Sequence, residues 1–161
     1  MPENPSEDPS DEGRADASEP ESPEPESPER HPPDDPREWM NRARSALQLA
    51  RAEGPSVYLE DLCYQAQQAA EKAVKALLID AGVSFPYVHD LAQLLTVLEE
   101  EGAADVPEQV KEAERLTRFA VFTRYPGAAS PVDREEYEEA LRLAEGLVEW
   151  AEAELRSGST S

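Results

Sequence analysis

The chain has 161 residues and a formal net charge of −21 at pH 7, because 36 Asp and Glu residues outnumber 15 Lys and Arg. A single Cys excludes a disulfide framework or a cysteine-based metal site, and the lack of a long apolar run excludes a membrane span. The acidic N-terminus is not a secretory signal, and the excess negative charge gives no general attraction to phosphate backbones. We therefore expect a cytoplasmic protein without a metal, a cofactor, membrane attachment or general DNA binding.

Residues 1–36 form an acidic segment rich in Pro, Glu and Ser. They hold 13 acidic residues and 2 Arg, a net charge of 2 − 13 = −11, and 10 of the 15 prolines. Because the segment contains no Leu, Ile, Val, Phe, Tyr or Trp, it cannot offset the entropy of ordering and is predicted to be a disordered tail. Three roles stay open: a solubilising extension, an acidic arm that docks on a basic surface or mimics nucleic acid, or an adaptation to a salty cytoplasm.

The helical period begins near residue 36, and no alternating strand pattern follows it. Asp35 suits an N-cap and Pro36 a first helical turn, so the first helix is predicted to begin there and to end before Gly54. A second helix is predicted over residues 57–81, with Gly82 as its stop signal and a wide, alanine-rich face that places it at the centre of the fold. The predicted apolar faces are Trp39, Ala43, Ala46, Leu47 and Ala50 for the first helix, and Leu62, Ala66, Ala69, Ala70, Ala73, Val74, Ala76 and Leu77 for the second.

A short helix and a fourth helix come next. The pair His89-Asp90 is predicted to begin the short helix, with one of the two capping its backbone amides. A fourth helix is predicted over residues 106–124, starting at Asp105 and Pro107. The inward residues are Leu91, Leu94, Leu95 and Leu98 on the short helix, and Val110, Ala113, Thr117, Ala120 and Val121 on the fourth.

Asp133 is predicted to cap a last helix that runs to about residue 156, before a short disordered C-terminus at residues 157–161. Its apolar residues recur at alternating spacings of four and three, as in a coiled-coil seam: Tyr137, Leu141, Ala144, Val148, Ala151 and Leu155. Short connections between helices favour antiparallel neighbours. The sequence therefore predicts an all-α fold, an antiparallel up-and-down helical bundle over residues 37–156 with four long helices and one short helix.

Three sequence elements, in this order, carry a resemblance to a known family. They are the second-helix segment LCYQAQQAAEKAVKALL at residues 62–78, His89-Asp90-Leu91 at the short helix, and Thr123-Arg124-Tyr125-Pro126-Gly127 after the fourth. Together they resemble the HEPN family, the higher eukaryote and prokaryote nucleotide-binding domains, over residues 37–156. The resemblance implies an all-α bundle that often dimerises and that is often paired with a separate minimal nucleotidyltransferase in a toxin–antitoxin-like system.

Some branches of that family are metal-independent ribonucleases with an Arg followed, after four to six residues, by a His. This chain departs from the pattern: its only histidines are His31 and His89, and the window after Arg124 holds Ala129, Ser130 and Pro131. Because the chemistry needs a group that exchanges protons near neutral pH, the departure argues against ribonuclease activity.

Positively charged side chains are the candidate ligand-binding residues. Arg124 is predicted to lie on the inward side of the fourth helix, where it would need a carboxylate, helix-end carbonyls or a bound anion. Lys111, Arg115 and Arg118 follow one outward face of that helix, toward Phe122 and Tyr125; this basic stripe either meets phosphates or is a solvated face paired with neighbouring Glu residues.

The second helix carries the other candidates on its polar side, Gln65, Gln68, Lys72 and Lys75. They either border a nucleotide- or partner-binding cleft or are surface residues with a Glu71–Lys75 pair. His89 either only marks the helix start or supplies a proton-transfer group opposite Arg124, and Cys63 is interpreted as a small buried hydrophobe.

The leading hypothesis is a homodimeric HEPN protein that is the non-catalytic partner, or the nucleotide- or substrate-binding component, of a minimal nucleotidyltransferase pair. Its candidate binding residues are Gln68, Lys72, Lys75, Arg118, Arg124 and Tyr125. The alternatives are a metal-independent endoribonuclease with an atypical Arg124/His89 site, and a helical interaction module that binds no ligand. Nucleotide or RNA is the candidate ligand of a local basic cleft. In a substrate role, Tyr87 or Tyr125 is the candidate acceptor of a nucleotidyl group from the partner transferase.

Overall fold

The computed structural model describes residues 27–85, 87–121 and 131–158, and over these ranges it is helical with no strand. The predicted all-α class is confirmed. Each predicted helix is present, and the fourth is divided into two helical types. The helices are α1 (Pro36–Ala50), α2 (Leu59–Asp80), α3 (Leu91–Glu100), α4 (Glu108–Lys111), a 3₁₀ helix that continues α4 (Glu112–Val121), and α5 (Arg134–Gly158).

Three aspartates cap the helices that the sequence assigns to them. Asp35 accepts a hydrogen bond of 2.9 Å from a backbone amide of α1, and Asp90 one of 3.0 Å from α3. Asp133 and Glu136 form a reciprocal capping box at α5, in which each side chain accepts from the other residue's backbone amide, at 2.8 and 3.2 Å. These contacts fix where the helices begin, because the first amides of a helix lack partners within it.

The helix α2 lies at the centre of the fold, as predicted, and contacts α1, α3, the 3₁₀ helix and α5. Its predicted apolar residues are all buried, and so are the four predicted leucines of α3. The alanines let neighbouring helices approach α2 closely, because each adds only one carbon beyond the backbone. On α1 the prediction needs one change: Met40 is buried at 2% exposure, while Trp39 is partly buried at the edge of the core.

The predicted fourth α-helix over residues 106–124 is wrong in type. Of the described residues in this range, only 108–111 are α-helical, and the 3₁₀ helix that follows has three residues per turn. From Val110 in α4 onward, the buried residues are therefore spaced by three, with Ala113, Leu116 and Phe119 in the 3₁₀ helix. The predicted inward residues Thr117 and Ala120 are only half-buried, and the Thr117 hydroxyl accepts a hydrogen bond of 3.1 Å from the Leu91 amide.

The helix α5 buries a wider face than the predicted coiled-coil seam. Four seam residues are buried, Tyr137, Ala144, Val148 and Ala151, whereas Leu141 and Leu155 are partly buried. Ala140, Leu143 and Leu147 are buried as well, because α5 contacts α1, α2 and the 3₁₀ helix instead of one partner.

Ion pairs show how α5 runs beside α1. Arg44 pairs with Glu152 at 3.2 Å, and Arg51, just after the end of α1, pairs with Glu145, earlier in α5, at 2.6 Å. The two helices therefore run in opposite directions. Within the three described ranges, no helix is long and apolar enough to cross a membrane.

Residues 27–35, the end of the predicted acidic tail, lie along α1. The Asn41 side chain donates to the Glu29 carbonyl at 2.8 Å, and the His31 amide donates to Glu38 Oε1 at 2.9 Å. Trp39 Nε1 donates to the Pro33 carbonyl at 2.7 Å. The prediction for residues 1–26 concerns a part of the chain outside the described residues, and so does the prediction for residues 159–161.

Candidate functional site

A column of polar side chains runs along one face of α2, under the loop that leads to α3. Gln67, Glu71 and Lys75 follow each other at intervals of four residues, so they stack one turn above another, and their exposures are only 0%, 4% and 6%. Buried polar groups are costly unless they are hydrogen-bonded. Every fully buried side-chain nitrogen or oxygen of the described residues has a hydrogen-bond partner, so this column is a satisfied network.

Glu71 is the centre of this network. Its Oε1 lies 2.9 Å from His89 Nδ1 and accepts a hydrogen bond of 3.1 Å from Gln67 Nε2, while its Oε2 lies 3.0 Å from Lys75 Nζ. Burial alone would raise the pKa of the Glu71 carboxyl, but the hydrogen bonds from His89, Gln67 and Lys75 outweigh burial and hold that pKa below its ordinary value of 4.5. Glu71 is therefore an ionised carboxylate at neutral pH.

His89 is held by Glu71 through one ring nitrogen. Because Nδ1 faces an ionised carboxylate, the neutral imidazole carries its proton on Nδ1 and its lone pair on Nε2. The side chain is 60% exposed. The predicted helix start at His89-Asp90 is confirmed, with Asp90 as the cap, and His89 also has the orientation that a proton-accepting imidazole requires.

Lys75 is buried, and this corrects its predicted place on an accessible polar strip. Its ammonium nitrogen lies 6.0 Å from the ring centre of Trp39 and 5.7 Å from that of Phe85. The predicted pair with Glu71 is present, but as a buried pair whose side chains are only 8% and 5% exposed. The Lys75 ammonium group thus contacts Glu71, Trp39 and Phe85, and its binding role stays a prediction.

Lys72 and Lys75 were both predicted on the polar side of the second helix, and Lys72 is the one that is partly exposed there. Its Nζ donates to Gln68 Oε1 at 3.3 Å. Within the described ranges, Lys72 itself forms no ion pair with a carboxylate. The Lys72 pKa is lowered, first by burial of its ammonium group and then by the positive charges of Arg42 and Lys75, against the opposing effect of Glu71. Lys72 borders a cleft of about 430 Å³ that is lined by His31, Pro33, Glu38, Trp39, Arg42 and Lys72.

The basic stripe on the fourth helical segment is paired with acidic residues. Arg115 lies 2.8 Å from Glu139 and Arg118 lies 3.0 Å from Glu136, both on α5. Lys111 lies 3.2 Å from Glu99 on α3 and 3.6 Å from Glu108. The structure therefore gives the stripe a bridging contact between helices, and the binding role of Arg118 stays a prediction.

Two of the predicted site residues, Arg124 and Tyr125, lie outside the described residues, as does Phe122. The structure brings Gln68, Lys72, Lys75 and His89 onto one network around α2, whereas Arg118 contacts α5. Sequence reasoning missed Glu71 as the centre of the network, although it named the Glu71–Lys75 spacing. It also missed Trp39 and Arg42 as neighbours of Lys72, because α1 and α2 meet only in the folded chain.

These features define the class of protein: a small all-α domain built around a central helix with a satisfied polar column and a cationic cleft. A model of the HEPN domain matches residues 36–154, and the chain belongs to the HEPN family. The chain is similar to TT1696 from Thermus thermophilus, with 37% sequence identity, a TM-score of 0.64, and coverage of 74% of this chain and 97% of that one.

A second solved structure, ST0689, an archaeal HEPN homologue, is similar in fold. Its sequence identity is 24% and its TM-score is 0.58, with coverage of 74% of this chain and 96% of that chain. The comparison with curated proteins gave no match. The family therefore rests on the match to the HEPN model, the two solved structures support the helical fold, and the activity is argued from the site.

Proposed function

We propose that this HEPN protein is the non-catalytic half of a two-protein, toxin–antitoxin-like pair, in which it binds a minimal nucleotidyltransferase and a nucleotide. A homodimer with the nucleotide at a local basic cleft is the proposed working form. Family membership supports the proposal, and so does the absence from the sequence of a His within the required spacing after Arg124.

One observation favours a small anionic ligand over a long RNA. A polyanion is held by a row of available cations, yet the basic stripe at Lys111, Arg115 and Arg118 is paired with Glu residues, most of them on neighbouring helices. Lys72, by contrast, borders a cleft and has only an amide partner among the described residues. Such a surface suits one phosphate group better than a phosphate backbone.

The partner role predicts that a neighbouring reading frame encodes a minimal nucleotidyltransferase, and co-expression with that transferase tests it. A tagged copy of this protein should retain the transferase, and light scattering on the eluted complex should give the mass of a dimer plus transferase. Phosphate buffers of increasing ionic strength distinguish specific association from charge attraction, since the latter weakens as salt rises. Separate elution of the two proteins at low salt would contradict the partner role.

The second candidate is a metal-independent endoribonuclease in which His89 accepts a proton. The contact between His89 Nδ1 and Glu71 favours it, because a carboxylate that fixes the ring proton on Nδ1 leaves Nε2 able to accept a proton. An RNA-cleavage assay compares the wild type with His89→Ala, and His31→Ala is the matched control because His31 is the chain's other histidine. Cleavage that is lost in His89→Ala and retained in His31→Ala would place the ribonuclease first.

A further inference from the structure

The cleft beside Lys72 combines an available cation with an aromatic wall. One side is formed by α1, through Glu38, Trp39 and Arg42, another by Lys72 of α2, and the third by His31 and Pro33 of the segment that lies along α1. Its volume of about 430 Å³ is within the range of small-molecule sites. The three walls come from three parts of the chain, so the cleft exists only in the folded protein.

The charges around the cleft leave one positive charge for a ligand. Glu38 Oε2 and Arg42 Nε lie 2.8 Å apart and offset each other. Lys72 has Gln68 Oε1 as its neutral partner at 3.3 Å. A half-buried ammonium group without its own carboxylate among the described residues is stabilised by an incoming anion, since the anion restores the interactions that burial removed.

Trp39 is fixed as a flat wall. Its indole nitrogen donates to the Pro33 carbonyl at 2.7 Å, and the Lys75 ammonium lies 6.0 Å from its ring centre. A held indole ring is a stacking surface for a nucleobase, and such stacking does not depend on which base is present. The side chain is partly buried, so part of the ring faces the core and part borders the cleft.

We propose that this cleft binds a nucleoside monophosphate, with the phosphate on Lys72 and the base against Trp39. Arg42 supplies a second donor when the phosphate approaches, because its guanidinium can bind a phosphate oxygen beside its contact with Glu38. The inference names the ligand class for the nucleotide-binding part of the proposed function and rests on that part. Of the lysine and arginine side chains that line the cleft, only Lys72 lacks a carboxylate partner among the described residues, so the cleft offers one unpaired ammonium group to one phosphate group.

The experiment uses the intrinsic fluorescence of Trp39. The chain has two tryptophans, and Trp150→Phe leaves Trp39 as the reporter. The full-length protein is titrated with AMP, adenosine and inorganic phosphate, and calorimetry on the wild type provides a second measurement that needs no substitution. Lys72→Gln removes the charge and keeps a polar side chain next to Gln68, and Lys111→Gln is the matched surface control.

AMP should change the Trp39 fluorescence, and adenosine and phosphate should each bind at least about tenfold more weakly, because each lacks one half of the recognised ligand. Lys72→Gln should weaken AMP binding by about tenfold or more, and Lys111→Gln should leave it unchanged. Equal affinity for AMP and phosphate, equal affinity for AMP and adenosine, or unchanged AMP binding in folded Lys72→Gln would each overturn the proposal.

The co-expression experiment separates this inference from the partner role. If the transferase co-purifies and AMP produces neither a fluorescence change nor heat, the monophosphate site is refuted and the partner role stands. If AMP binds through Lys72 and the transferase elutes separately, the site stands and the partner role is refuted.

Discussion

Substituting Glu71 tests whether the polar column stabilises the fold. In Glu71→Gln only one side-chain oxygen remains, so the neutral amide can keep either the contact with Lys75 or the contacts with His89 and Gln67. Lys75 would then keep its charge at 8% side-chain exposure with no carboxylate partner on the column. Its ring contacts with Trp39 and Phe85 remain, but they offset only part of the loss.

The magnitude follows from the burial of the pair. Removing one member of a buried ion pair costs about 3–5 kcal/mol, and Glu71 and Lys75 are buried enough for this range to apply without a discount for solvent screening. The contact with His89 adds little, because that side chain is 60% exposed. We expect Glu71→Gln to lose about 3 kcal/mol of unfolding free energy, equivalent to a fall in Tm of roughly 10 °C.

Urea unfolding followed by far-UV circular dichroism measures the loss of unfolding free energy in Glu71→Gln. The pH dependence of that loss shows whether the Glu71 carboxylate is its cause. The pKa of Glu71 in the folded state is below its ordinary value of 4.5. The stabilisation by the carboxylate is therefore complete above that ordinary value and is lost as pH falls through the folded pKa. The difference in unfolding free energy between wild type and Glu71→Gln should decrease on acidification below about pH 4.5 and stay constant above about pH 6.

A double variant provides the control. In Glu71→Leu/Lys75→Met both charges are removed, so no buried charge is left without a partner, and the double variant should be more stable than Glu71→Gln. The reasoning would be refuted if Glu71→Gln lost less than about 0.5 kcal/mol, a value typical of surface substitutions. The reasoning would also be refuted if the difference in unfolding free energy between wild type and Glu71→Gln increased as the pH falls.

Three further experiments test other parts of the structure. Tyr137→Phe removes the buried hydroxyl that donates to the Ala50 carbonyl at 2.7 Å, so urea unfolding should show a loss of about 1–2 kcal/mol, and an unchanged midpoint would contradict it. Asp90→Ala removes the α3 cap and should cost about 1 kcal/mol, with Asp90→Asn retaining most of the stability; equal loss in both would exclude capping as the cause. Burial raises the pKa of the Cys63 thiol to about 12, so the native protein should react with a thiol reagent at pH 8 far more slowly than in urea; equal rates would contradict this burial.

The sequence predicted the fold well where helical periodicity decides burial. On α2 and α3 every predicted inward residue is buried, because an α-helix repeats its faces at fixed angular steps. On the fourth segment the same step misplaced Thr117 and missed Leu116 and Phe119, because a 3₁₀ helix repeats every three residues. Composition does not show which of the two helical types a short segment adopts.

The site was less accessible to sequence reasoning. The Glu71–Lys75 pair follows from spacing on one helix, whereas the contact between Glu71 and His89 joins residues 18 positions apart across a loop. The cleft at Lys72 depends on Trp39 of α1 and on residues 31–33, which the composition alone assigns to a tail. Such contacts are fixed by how helices pack, and local patterns do not carry that information.

The alanine face of α2 has a consequence for how this protein tolerates sequence change. In most protein cores the damaging substitutions make a side chain smaller, but Ala66, Ala69, Ala70, Ala73 and Ala76 are already at the minimum that an L side chain allows, with exposures of 0–1%. Here enlargement is the damaging direction, since an extra methylene pushes a neighbouring helix away and costs about 1–3 kcal/mol. Variation in α2 that preserves the fold is therefore directed to its exposed polar positions, where side chains can change while the helix spacing stays the same.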